Sequence, residues 1–96
     1  MNVVWHPLAT GEMIDAARFY SSRLKQLGPE FLDEIERSVE SILTDPGRFA
    51  VIDNEIRLFP MRRFPYGIYY RVLDDDVRIL VVKHHNRHPK HGLDRD

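Results

Sequence analysis

Arg62-Arg63-Phe64-Pro65-Tyr66-Gly67-Ile68-Tyr69-Tyr70-Arg71-Val72 is the most strongly patterned segment of the chain. Four aromatics and three arginines stand in these eleven residues, beside a proline that breaks a helical reading. The pattern alternates after Pro65, which predicts a strand over Tyr66–Leu73. On such a strand Tyr66, Ile68, Tyr70 and Val72 share one face, and Gly67, Tyr69, Arg71 and Leu73 the other. One face must pack on the rest of the domain, and the other is expected to reach a partner. Arginine and aromatic side chains on rigid β-structure suit nucleic acid or an acidic protein surface.

Working outward, Ile56–Arg63 reads as the strand before it and Val77–His84 as the strand after it. Asp74-Asp75-Asp76 turns between the last two, because aspartate is a common turn former. Residues 48–55 read as a loop. Toward the N-terminus, Met13, Ala16, Ala17, Tyr20, Leu24 and Leu27 recur at steps of three and four, predicting a helix over Leu8–Gln26. Pro7 fits near its start, where a missing N–H costs nothing. Gly28 is expected as its C-cap and Pro29 in the first turn of a second helix, Pro29–Leu43. Phe31, Ile35, Val39 and Ile42 line the inner stripe of that helix. A break this short implies an antiparallel helical hairpin. With a short strand at Asn2–Trp5, the order is β-α-α-β-β-β. An α+β domain follows, with a helical hairpin packed on one face of a small antiparallel sheet, as one unit over residues 1–96.

Composition narrows the classes. The chain has 96 residues, 43% apolar and 30% charged, as in an ordinary soluble globular domain. No apolar run nears the roughly 20 residues of a membrane span, and no signal peptide is visible, so a cytoplasmic protein is expected. Cysteine is absent, which excludes disulfides and thiolate metal sites. The net charge of −1 hides a division: residues 1–56 carry five basic against ten acidic side chains, and residues 57–96 carry nine against five. The basic half is expected to present a directional interaction surface. Arg62, Arg63, Tyr69, Arg71, Arg78, Lys83, His85 and Arg87 are its candidate partner-binding residues, able to meet phosphates or a carboxylate-rich peptide.

Two further constellations could carry chemistry. His84, His85, His88 and His91 have helical spacing, but Pro89 disfavours a helix there and no cysteine assists, so no metal is expected. RNA cleavage by 2′-hydroxyl attack needs a base, an acid and a cation for the phosphorane charge. Glu55 as base, Arg62 or Arg71 as cation and His85 as acid are candidates, though their spacing forms no specific motif. No phosphate-binding glycine loop, nucleophile elbow or dinucleotide fingerprint is present, and no cofactor is expected.

Three segments together resemble the RelE/ParE superfamily of toxins from bacterial type II toxin–antitoxin modules, most closely its ParE-like, plasmid-stabilisation branch. The first is Ala16-Ala17-Arg18-Phe19-Tyr20 with Leu27-Gly28-Pro29-Glu30-Phe31-Leu32-Asp33-Glu34-Ile35. The second is the Phe64-Pro65-Tyr66 word with Tyr70-Arg71, and the third is Lys83-His84-His85-Asn86-Arg87-His88-Pro89 followed by Arg95. The resemblance implies a toxin neutralised by a cognate antitoxin whose C-terminal segment, acidic and partly disordered, wraps the toxin. ParE-like members poison DNA gyrase and are not enzymes; RelE-like members cleave mRNA on the ribosome. Where the nucleases commonly carry a catalytic arginine, this chain has Gly67, which tilts the expectation toward a gyrase inhibitor. A ribosome-dependent endonuclease, or a decayed toxin that keeps only antitoxin binding, are the alternatives. A second departure is His91-Gly92, where relatives often have an aromatic pair; it puts the packing of the last segment in question.

Overall fold

In the computed structural model, which describes all residues 1–96, the chain opens with strand β1 (Asn2–Trp5) and helix α1 (Pro7–Arg23). His6 caps α1: its Nδ1 accepts from the Leu8 amide at 3.1 Å, and Pro7 occupies the first turn. The helix stops three residues before the expected Gln26, because Leu24 swings to extended backbone. The inner face of α1 is small, with Ala9, Ala16 and Ala17 buried. Helix α2 (Leu27–Thr44) therefore approaches closely, burying Phe31, Ile35 and Ile42 between itself and the sheet.

Gly28 is not the C-cap that its place in the sequence predicts. It lies in the first turn of α2, where an added Cβ would strike Ser21 and come within 2.7 Å of the Ala17 carbonyl oxygen. Glycine stands there because the two backbones nearly touch.

The sheet has five strands in the order β1-β5-β4-β3-β2, where β2 is Val51–Asp53, β3 Ile56–Pro60, β4 Tyr66–Leu73 and β5 Asp76–His84. It is mixed, not purely antiparallel: β1 runs parallel to β5, with Val3 opposite Val77, while the other pairs are antiparallel. Part of the expected 48–55 loop is strand. Val51–Asp53 folds back on β3 through Asn54 and Glu55, both at positive φ (43° and 66°), the backbone of a tight hairpin turn. Strand β3 ends at Pro60, three residues before the expected Arg63, since a turn over residues 61–65 takes the chain into β4.

Strand β5 is buried almost end to end because both faces of the sheet are covered. A bulge sets Tyr69 opposite Val81 and Tyr70 opposite Ile79, leaving Leu80 extra. Leu80 and Val81 consequently both face away from the helices. They join Ile56 and Tyr69 in a second apolar cluster, against which Leu58 and Leu93 pack. The main core holds Ile68, Tyr70, Val77, Ile79 and Val82 under the helices. The face expected to be open is thus closed by the chain's own last residues.

Candidate functional site

The turn over residues 61–65 displays its arginines because its neighbours are anchored. Met61 and Phe64 are buried, and Phe64 packs edge-on against Tyr20 and Phe31 at ring distances of 4.7 and 5.1 Å. Glu34, itself buried on α2, accepts from the Arg62 amide at 2.9 Å and the Arg63 amide at 3.2 Å. With backbone and apolar residues held inward, both arginine side chains turn out. Arg63 meets Glu30 at 3.3 Å in an exposed pair worth little, and its guanidinium lies over the Phe64 ring. His85 and Arg87 are exposed at this same end of the sheet, where the His85 amide bonds the Pro65 carbonyl at 2.9 Å.

Tyr69 and Lys83 are not displayed. Both are buried beneath the tail, at 8% and 3% exposure. The Lys83 ammonium sits 4.5 Å from the centre of the Tyr69 ring and donates to the carbonyls of His88, Pro89 and His91 at 3.2, 2.8 and 3.1 Å. Burial, with Arg87 and Arg95 adding to it, pulls its pKa below 10.5 although Glu12 opposes the shift. Burial likewise raises the Tyr69 phenol. The two side chains hold the tail and offer nothing to a partner while it is in place. Gly67 lies directly opposite Lys83, and the space a side chain would take there is filled by Leu58, whose Cδ1 would be 2.6 Å from a Cβ.

The tail has a second anchor, which the sequence reading missed. Glu12 of α1 accepts from the Val82 amide at 3.1 Å, meets His91 Nε2 at 2.6 Å, and forms a forked pair with Arg95 at 2.9 and 3.0 Å. Burial raises its carboxyl, but the bonds from Arg95, His91 and Val82 outweigh this and hold it below the usual 4.5. Gly92 completes the fit. Its φ is +79°, and an added Cβ would come within 2.5 Å of Val81. The His91-Gly92 departure thus has its own packing solution. No aromatic is required.

Arg71 and Arg78 lie opposite each other across β4 and β5, on the outer face. Like charges so placed repel. Their ion-pair distances are long, 3.9 Å from Arg71 to Asp96 and 3.9 Å from Arg78 to Asp76. Each also has a buried Nε without a hydrogen-bond acceptor.

The four nuclease candidates do not converge. Arg62 and His85 belong to the end of the sheet where Tyr66 pairs with His84, whereas Arg71 reaches the Asn54 carbonyl beside Glu55. Arg71 lies five steps along the strand from Tyr66, roughly 17 Å at the usual rise. The histidines serve the local backbone: His84 and His88 each accept from an amide two residues on, at 2.9 and 3.0 Å. Asp74, at φ 54°, makes the β4–β5 turn.

A helical hairpin on one face of a five-stranded mixed sheet, with arginines displayed at both ends and no convergent acid–base set, defines a small α+β domain built around its surface. The same fold occurs in a solved structure described as the chromosomal ParDE TA system from P. aeruginosa. It has a TM-score of 0.77 and 16% identity, covering 88% of this chain and 95% of that one. At that identity the likeness is one of fold. No curated protein sequence matches the chain significantly. The sequence pattern of the ParE toxins of the type II toxin–antitoxin system, parDE, matches residues 3–89, and the chain belongs to that family.

Proposed function

We propose that this protein is a toxin that inhibits DNA gyrase by binding and is neutralised by a cognate antitoxin, whose acidic segment meets the Arg71–Arg78 end of the outer face, which the tail leaves part-exposed. The observation that carries the antitoxin part is the opposed Arg71–Arg78 pair, part-exposed and with its nearest carboxylates no closer than 3.9 Å. A carboxylate bridging the terminal nitrogens of the two guanidiniums would relieve their repulsion. Arg62, Arg63, His85 and Arg87 form a second basic end that a longer segment could reach. Membership of the ParE toxin family supports gyrase as the target. The separation of Glu55 and Arg71 from Arg62 and His85 weighs against the endonuclease alternative. The test is co-expression with the product of the neighbouring reading frame. A complex should form, and Arg71→Ala with Arg78→Ala should weaken it at least tenfold. A complex indifferent to both substitutions would remove the outer face from the account.

A further inference from the structure

On the opposite, helix-covered side of β3 a cleft of about 370 Å³ opens between α2 and the loop that follows it. Arg37, Arg48 and Arg62 line it, together with Ser41 and the aromatic pair Phe49 and Phe59. The two rings are edge-to-face at 4.8 Å. None of the three guanidiniums is ion-paired; the chain's salt bridges use Arg63, Arg71, Arg78, His91 and Arg95. The one carboxylate in the cleft, Glu34, is already committed to the Arg62 and Arg63 amides. The cleft therefore sets three guanidiniums against one carboxylate, and keeps an excess of positive charge.

The geometry points to a binding site for a small nucleotide bearing a di- or triphosphate. Arginine forks match phosphate oxygens in geometry and charge, and three of them suit a ligand with two or more phosphoryl groups. Serine hydroxyls add neutral donors. Arg48 already lies over the Phe49 ring at 5.5 Å, so the partly buried Phe59 is the ring assigned to stack on a base. The volume falls within the range of small-molecule pockets, roughly 300–1,000 Å³. Phe59 sits opposite Ile68 on the helix-facing side of the sheet, whereas Arg71 and Arg78 are on the other. Arg62 is shared with the second basic end of the proposed antitoxin contact, but Arg37 and Arg48 take no part in it, so the cleft is tested through those two and does not rest on the toxin reading.

Calorimetric titration of the full chain with ADP, with pyrophosphate alone and with a short oligothymidylate tests the assignment. ADP should bind at least fivefold more tightly than pyrophosphate. Arg37→Gln and Arg48→Gln should each weaken both ligands about tenfold or more, and Phe59→Leu should reduce the preference for ADP. Arg18→Gln, on α1 and outside the cleft, should change nothing, and unshifted melting curves establish that the variants fold. Absence of ADP binding at millimolar concentration overturns the site, as does binding indifferent to Arg37 and Arg48. Pyrophosphate bound as tightly as ADP overturns the nucleotide assignment. Capture of the oligonucleotide through the same arginines without ADP binding overturns it in favour of nucleic acid.

Discussion

Replacing Glu12 by alanine tests how the outer face of the sheet is closed. The carboxylate joins α1, the β5 backbone and the tail through the Val82 amide, His91 and Arg95, and the Arg95 side chain is only 11% exposed. Breaking one side of a buried ion pair costs about 3–5 kcal/mol. Arg95 keeps the Leu80 carbonyl at 3.0 Å as an acceptor, so a smaller loss of about 2–3 kcal/mol is expected for Glu12→Ala. In a chain of this length each kcal/mol moves the melting temperature by about 4–8 °C, so circular dichroism at neutral pH should show a fall of roughly 10–20 °C. A cycle with Arg95→Ala should give a coupling of at least about 1 kcal/mol. The pH dependence follows in sign. The folded carboxyl titrates below 4.5, so its contribution is present above that value and is lost as pH falls through the folded pKa. The gap between the native chain and Glu12→Gln should therefore be present at neutral pH and close in acid. A loss under about 0.5 kcal/mol, or strict additivity with Arg95→Ala, refutes the reasoning.

Gly28→Ala should cost about 1–3 kcal/mol by forcing the helices apart at Ala17, measured by urea unfolding. Ser21→Gly in the same chain should restore only part of it, because the Ala17 carbonyl stays in place. Gly92→Ala, at positive φ against Val81, should cost about 1–3 kcal/mol and speed proteolysis within residues 85–96. If the protein cuts mRNA, primer extension after induction should find ribosome-dependent breaks; the gyrase reading expects intact transcripts and trapped DNA breaks instead.

The helical hairpin and strand β4 were legible because each carries a clean period, 3.6 over Phe31–Ile42 and 2 after Pro65, and β5 because its apolar run follows the Asp74-Asp75-Asp76 turn. The parallel pairing of β1 was not, since nothing in Asn2–Trp5 distinguishes which edge of the sheet it joins. Strand β2 was hidden by its length of three residues and by a glutamate at positive φ, a position where asparagine or glycine is the usual signal. The covered outer face was the larger miss. Leu80 and Val81 break the alternation of β5, and that irregularity is the sequence mark of a bulge with apolar residues on both faces. Lys83 in an otherwise apolar run was a second clue that something polar must lie over it. The displayed arginines were legible as a group because Pro65 and the buried Phe64 set the turn. Their separation into two ends depends on strand register.

Inhibition of gyrase by binding is the activity proposed for this ParE-family chain. Its most direct test is a DNA supercoiling assay with purified gyrase, this protein, and the neighbouring gene product added last. The account predicts that the protein alone stops supercoiling in proportion to its concentration, and that the antitoxin restores it. Unimpaired supercoiling at a large molar excess of a protein that still arrests growth would contradict it.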